Sequence, residues 1–328
     1  MKPLSPWVAS FLRRSAAGLE FPKRRRSLLV LMFHRVLPQP DPLLPDEPDV
    51  AAFAAEIDVV RSIFSVLPLA EAIERLYSGS LPPNAACITL DDGYANNLTC
   101  AAPILEARGV PATVFIATGF LDGGRMWNDT VIESIRRAGS ELDLSGIGLG
   151  RFELPDATSR RSAARALIGS LKYLRIEDRE RTVRSIAEIV GQELPRDLML
   201  SETQVKELVR RGVDVAAHTV SHAILTRVDE ATARREISVS KSTLENLTGG
   251  PVRLFAYPNG HPGQDYLPMH IKIVREAGFI GAVSTVWGAC HRGSDRYQLP
   301  RLRPCESSAL RFAARLLYAR REREDVAG

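Results

Sequence analysis

The side chains of this 328-residue chain best suited to chemistry fall in four short clusters. They are His34-Arg35, Asp91-Asp92-Gly93-Tyr94, His218-Thr219-Val220-Ser221-His222 and Tyr257-Pro258-Asn259-Gly260. Two histidines four apart share one face if the chain turns helically there. With one carboxylate they make a two-histidine, one-carboxylate set that leaves positions open for water and substrate. The alternative is a helix start whose histidines only hydrogen-bond. Asp-Gly is a common turn dipeptide. Even so, two adjacent carboxylates after an apolar strand are costly unless a cation or a proton offsets them. Neighbouring side chains on extended backbone point in different directions, so one carboxylate can bind a metal while the other faces the attacking water. Metal-assisted hydrolysis needs that division of labour, a Lewis acid together with a base.

Each cluster sits where an apolar run ends. Residues 28–33, 87–90, 213–217 and 252–257 read as strands, with others at 111–117 and 279–284. Helices are expected over 50–64, over 101–108 closed by Gly109, over 230–247 closed by Gly249-Gly250 and over 269–277 closed by Gly278. Ser201-Glu202-Thr203-Gln204 is a capping box opening a further helix, which Gly212 stops. Repeated strand-then-helix units imply a parallel sheet, open or closed into a barrel, whose strand C-terminal ends bear the site. The stretch from about 125 to 200 is polar, rich in Arg and Glu and helical in period, and reads as an insertion.

Hydrophobic residues at 45 % and charged residues at 25 % exclude a mostly disordered chain. The longest apolar run, Leu28-Leu29-Val30-Leu31-Met32-Phe33, is too short to cross a membrane as a helix. The net charge of +4 is concentrated at one end. Lys2, Arg13, Arg14, Lys23, Arg24, Arg25 and Arg26 stand against Glu20 alone. The body therefore lacks the basic balance of a nucleic-acid enzyme, and no nucleic-acid partner is expected. Residues 5–20 suit an amphipathic helix with Trp7, Val8, Phe11 and Leu12 on one side. With the basic run after it, this is either an anchor on an anionic membrane or a solvated helix packed on its own domain. In the first case each basic residue contributes about 1 kcal/mol near the surface. Cys87, Cys100, Cys290 and Cys305 show neither a disulfide framework nor zinc-knuckle spacing. The apolar stretch at 7–12 is short for a secretory leader. The expected location is cytoplasmic, peripheral at the inner membrane surface if the anchor operates.

Taken together, the clusters resemble the motifs of the polysaccharide deacetylase family, the NodB-homology carbohydrate esterases. Thr89-Leu90-Asp91-Asp92-Gly93-Tyr94 is similar to the first motif, T-F-D-D-G-Y, and His218 to His222 to the second, H-[ST]-x-x-H. Phe255-Ala256-Tyr257-Pro258-Asn259-Gly260 resembles the third, and Leu299-Pro300-Arg301 the last strand of many members. Gly109-Val110-Pro111-Ala112-Thr113-Val114-Phe115 also has the family's look, and the resemblance spans about residues 27–305. It implies an α/β fold, a distorted (β/α)7-type barrel, over residues 27–310. A basic extension at 1–26, the helical insertion at about 125–200 and a charged tail at 311–328 complete the expected organisation.

The resemblance also implies roles. Asp91 would be the general base, and Asp92, His218 and His222 the ligands of a divalent metal. Zinc is the default, while cobalt, nickel and iron suit the same donors. Backbone near Asn259 and Tyr257 would hold the oxyanion and substrate. The implied reaction removes an N-acetyl group from an amino sugar of a polysaccharide or glycan precursor. The alternatives are an O-acetyl ester or small amide as substrate, or a non-catalytic carbohydrate-binding relative. Two departures stand out. Ala256 occupies the place of a family arginine that orients the base, for which Arg301 or Arg303 are the substitutes. The late acid histidine is missing, and His34 matches the first-strand histidine of the branch acting on β-1,6-linked N-acetylglucosamine polymers. His291 is the fallback acid, and His261 and His270 read as loop or surface residues. Tyr94 and Trp287 are either sugar-stacking walls or core.

Overall fold

The computed structural model describes residues 6–18, 26–304 and 308–320. Helix α1 (Pro6–Gly18) precedes β1 (Leu28–Phe33), α2 (Val50–Ile63), the short β2 (Ser65–Val66), α3 (Leu69–Ser78) and β3 (Ala85–Leu90). Next come α4 (Ala102–Arg108) and β4 (Ala112–Ile116). The insertion follows, built of α5 (Trp127–Arg137), the hairpin β5 (Glu141–Asp143) and β6 (Arg151–Glu153), α6 (Ala157–Leu171) and α7 (Ile176–Val190). The chain closes with α8 (Glu202–Arg210), β7 (Asp214–Ala217), α9 (Glu230–Thr248), β8 (Leu254–Ala256), α10 (Pro268–Glu276), β9 (Gly281–Val283) and α11 (Ala309–Ala319).

The strands pair in parallel in the order β1-β3-β4-β7-β8-β9, with β2 alongside β3. The sheet curls until its two edges share one irregular segment. Leu299 exchanges hydrogen bonds with Ala282 and Ser284 beside β9, and Leu302 with Val30 and Met32 of β1. The fold is therefore the curled parallel sheet of a distorted barrel, with helices packed outside it.

The period of two along each strand decides what the barrel holds. Leu29, Leu31 and Phe33 face outward into the layer shared with Phe53, Ile57 and Val60 of α2. Leu28 and Val30 face inward, with Ala85, Cys87, Phe115, Ala216, Leu254, Ala256, Val283 and Leu299. Leu69, Ala72, Ile73 and Leu76 of α3 join this inner cluster. Continuing the inward parity by one or two steps reaches His34, Thr89, Asp91, His218 and Arg301. The same alternation that fills the barrel with hydrocarbon thus sets a polar layer at its C-terminal mouth.

Several local expectations change. Strand β8 is shorter than residues 252–257, because the chain turns at Tyr257-Pro258 and proline has no N–H for the ladder. A π-helical turn at Asn97–Ala101 delays α4 to Ala102. The insertion contains a β-hairpin as well as helices, and it has its own apolar cluster of Val131, Ile135, Leu142, Leu154, Leu167 and Ile186. On α1 the expected single apolar face is split. Trp7 and Phe11 stack on each other in solvent, 78 % and 59 % exposed, while Ala9 is buried and Leu12 packs on the core. Lys2, Lys23, Arg24, Arg25 and Cys305 lie outside the described residues. Among the described residues, no helix is long and apolar enough to cross a membrane.

Candidate active site

Asp91 emerges from the end of β3 pointing into the barrel, 2 % exposed. Arg301, from the segment that closes the sheet, grips it with both arms. Its Nη1 donates to Oδ1 at 2.7 Å and its Nη2 to Oδ2 at 2.6 Å. Arg301 also donates to the Ser284 carbonyl at 2.8 Å and the Thr89 hydroxyl at 3.2 Å, so the guanidinium is itself held in place. Burial pushes the Asp91 carboxyl up, but the Arg301 charge and hydrogen bonds outweigh it and hold the pKa below the ordinary carboxylate value. Asp91 is therefore an ionised, fixed carboxylate. Arg301 fills the place left by Ala256. Arg303 does not: it lies at the surface and pairs with Glu47 at 2.8 Å.

Asp92 turns the other way because its backbone is left-handed, with φ at 77°. Its Oδ1 lies 3.4 Å from Nε2 of both His218 and His222. A cation about 2.0–2.2 Å from each donor would hold tetrahedral neighbours about 3.3 Å apart, so the spacing fits a transition metal. One ligand atom from each of the three residues falls within 4.8 Å of the others. The His218 Nδ1 lies 2.7 Å from the Ala256 carbonyl oxygen, which can only accept. That bond places the proton on Nδ1 and frees Nε2 as a donor to metal. His222 is neutral at ordinary pH, since burial above all drives its pKa down to about 3. In His218 the burial effect is outweighed by Asp92, Asp91 and the Ala256 carbonyl, which raise its pKa. A metal must therefore displace a proton favoured by Asp92.

Backbone strain gathers at the same place. Among the described residues, Asp92, Thr219, His222 and Asn259 are four of the six non-glycine residues with positive φ. Thr219 is β-branched at φ 64°, a conformation such residues rarely adopt. Glu236 on α9 holds this loop, accepting from the Val220 N–H at 2.8 Å, the Ser221 N–H at 2.9 Å and the Ser221 hydroxyl at 2.8 Å. The opposite side is equally tight. A Cβ on Gly119 would come within 2.8 Å of the Val220 carbonyl oxygen.

His34 lies at the mouth, half-buried, near enough for its charge to act on both Asp91 and Asp92. Its carbonyl accepts from Asn97 at 2.8 Å, and its Nδ1 is buried without a partner. Asn259 is half-buried at φ 60°, and Gly260 after it is packed so closely that a Cβ would meet the Thr285 nitrogen at 2.8 Å. Tyr257 is not a substrate contact. Its ring stacks on Tyr266 at 3.8 Å inside the core, and its N–H is spent on the Val283 carbonyl. Tyr94 is not an open wall either. It is 3 % exposed, its face is covered by Arg35 at 4.6 Å, and its hydroxyl donates to Asp129. Trp287 is half-buried, packed on the core and tilted against Tyr318, with its indole nitrogen unpartnered. His291 is at the wrong end of the barrel, since Cys290 beside it pairs with Leu28 at the start of β1. His261 is exposed, but His270 is a buried residue whose Nδ1 accepts from the Leu267 N–H at the start of α10.

Two participants, Glu236 and Asp129, escape the sequence reading, and Arg35 enters it only as the neighbour of His34. Arg35 and Asp129 pair at 3.5 Å above Tyr94. Burial, chiefly, raises the Asp129 pKa to about 7, with Arg35 opposing. Only the adjacency of Arg35 to His34 hinted at its place, while Asp129 comes from the insertion with no local signal.

Comparisons with known proteins find likenesses in sequence and in fold. A family model described as polysaccharide deacetylase matches residues 169–280, which include both histidines and the Tyr257 to Gly260 turn but not Asp91-Asp92. The putative polysaccharide deacetylase YxkH of Bacillus subtilis (strain 168) is 26 % identical over 115 residues. That match spans 35 % of this chain and 40 % of the length of YxkH. The Streptococcus pyogenes deacetylase PplD in complex with acetate shares the fold at a TM-score of 0.60 and 17 % identity, covering 90 % of this chain and 99 % of PplD. IcaB from Ammonifex degensii does so at 0.56 and 20 % identity, covering 88 % and 96 %.

The Arg301 grip yields a prediction. Arg301→Gln leaves a buried carboxylate without its cation, which costs about 3–5 kcal/mol of stability. In the unmodified chain, the lowered Asp91 pKa contributes stability that is present above about pH 4 and lost as pH falls through the folded value. In the variant that pKa rises, so the acidic limb of any rate profile moves to higher pH. Melting curves and rates across pH check this, and an unmoved limb with unchanged stability would contradict it.

Proposed function

We propose, from the polysaccharide deacetylase model that matches residues 169–280 and from the site geometry, that the chain is a member of that family, a metal-dependent hydrolase acting on acetylated amino sugars. Its reaction removes the N-acetyl group from an amino sugar of a polysaccharide or glycan precursor. The observation that carries the reading is the separation of two adjacent carboxylates. Asp92 joins His218 and His222 in a three-donor set, while Asp91 is held apart by Arg301. PplD, which has the same fold, is a deacetylase with acetate bound, and that supports the reaction class.

Asp92, His218 and His222 would hold the cation, with zinc the first choice for two imidazoles and a carboxylate. When bound, a divalent cation supplies Lewis-acid chemistry, lowering the pKa of water and polarising a carbonyl oxygen. The remaining work falls to the chain. Asp91, ionised and fixed, takes the proton as water attacks the acetamide carbon. The Asn259 N–H, in the left-handed turn at Asn259-Gly260, would donate to the developing oxyanion. Among the described residues, nothing accepts from the Asn259 N–H. His34 delivers a proton to the departing amine, so that acetate and a free amino sugar result. Arg301 keeps the resting Asp91 carboxylate ionised, so it is free to accept that proton.

The two carboxylates should separate in a single experiment. Asp92→Ala, His218→Ala and His222→Ala lose the metal and all acetate release from N-acetylglucosamine oligomers. Asp91→Asn keeps the metal and loses about 10²–10⁴-fold in rate, the range of a general base. Elemental analysis beside an acetate assay reads both. Full metal content in the first three variants, or near-normal turnover in the last, would refute the assignment.

The acid is tested by leaving group. An amine must be protonated to depart, whereas a nitrophenolate hardly needs it. His34→Ala is expected to cripple hydrolysis of the N-acetylglucosamine oligomer and largely spare nitrophenyl acetate. An equal loss on both substrates would mean that His34 acts through the ligand set or the packing instead.

A further inference from the structure

The insertion is braced across the barrel mouth. Arg136 of α5 pairs with Asp41 at 2.6 Å and Arg165 of α6 with Asp46 at 3.3 Å, both in the loop after β1. On the far side, the Tyr173 hydroxyl donates to Asp265 at 3.4 Å in the loop after β8, and Arg227 lies over the Tyr173 ring. Within the insertion, α7 carries Arg179, 3 % exposed. Its guanidinium lies 4.8 Å over the Trp127 ring at the start of α5, close enough to His222 for its charge to act on that imidazole.

Arg179 differs from the other buried arginines. Arg301 has Asp91, Arg35 has Asp129, and Arg320 has the Asn84 and Ser27 oxygens. Among the described residues, Glu180 is the carboxylate whose charge reaches Arg179, but no carboxylate lies within ion-pair distance of it, and its Nε is buried without an acceptor. Asn128, next to Trp127, likewise has a buried Oδ1 with no donor. A nearly buried guanidinium with no hydrogen-bond acceptor in the protein is matched when a ligand supplies one.

We propose that Arg179, stacked on Trp127 in the insertion that spans the mouth, is a subsite for a negatively charged substituent, a carboxylate or a phosphate, on the glycan that the site deacetylates. The identity of the remaining ligand rests on the deacetylase reading, but the anion subsite rests on the arginine. A guanidinium fork matches either group through two parallel hydrogen bonds, and the Trp127 ring beneath it holds the fork in place. A neutral glycan would leave the cation unmatched.

The test is calorimetric binding to the full chain, stripped of metal so that anions cannot bind through a cation. Three probes differ chiefly in the group at issue: methyl glucoside, methyl glucuronide and glucose 1-phosphate. At least one charged probe is expected to bind about ten- to hundredfold more tightly than the neutral one. Preference for the glucuronide identifies a uronic-acid type of substituent, and preference for the phosphate a phosphorylated glycan. Arg179→Gln should abolish the difference, and Arg179→Lys should keep part of it, since a point charge lacks the fork. Equal binding of all three probes by the unmodified chain overturns the proposal. So does a charge preference that survives Arg179→Gln with unchanged melting. If that variant does not fold, Arg179→Lys decides, by weakening the charged probes more than the neutral one or by failing to. None of the probes carries an acetyl group, so a failed acetate assay leaves this result standing, and a failure here leaves the deacetylase reading intact.

Discussion

The buried pair of Asp91 and Arg301 is the interaction on which the site depends. Two carboxylates side by side at the end of an apolar strand repel each other and resist burial, and neither would stay ionised without help. Arg301 cancels one of them with two short hydrogen bonds, leaving Asp92 as the carboxylate that the histidines face. The pair also joins distant parts of the fold. Arg301 sits in the segment that seals β9 to β1, and Asp91 ends β3, so the contact that fixes the site also ties the closing segment to β3.

Strain at the mouth follows from the same demand. A regular strand end would send Asp91 and Asp92 to opposite faces of the sheet. The left-handed backbone at Asp92 turns its carboxylate into the mouth, and left-handed Thr219 and His222 do the same for the second motif. Such conformations persist only where the surroundings over-determine them. Glu236 with three hydrogen bonds, and the close approach of Gly119 to Val220, supply that constraint.

Much of this was legible in the sequence because it is local. A run such as Leu28–Phe33 declares a buried strand, and its parity then says which residues at its end face inward. The second motif declares itself through the four-residue spacing of His218 and His222. Choosing between Arg301 and Arg303 was beyond local reasoning, since two residues apart they share a strand face. What decides is where pairing with β1 and β9 runs out, after Leu302, which leaves Arg303 at the surface with Glu47. Tyr94 misled for a similar reason. Its covering by Arg35 and Asp129 involves residues 59 and 35 positions away, one of them in the insertion. The roof contacts, Tyr173 with Asp265 and Arg179 with Trp127, are pairings of this long-range kind.

The central claim is that adjacent carboxylates hold different tasks, one for a cation and one for a proton. X-ray absorption at the metal edge of the zinc-loaded chain tests it most directly, because it reports the ligands themselves. The predicted spectrum shows two imidazoles with oxygen donors and no sulfur, and it is the same for the unmodified chain and for Asp91→Asn. A spectrum without the imidazole signature, or one that loses an oxygen donor when Asp91 is changed, would contradict the account.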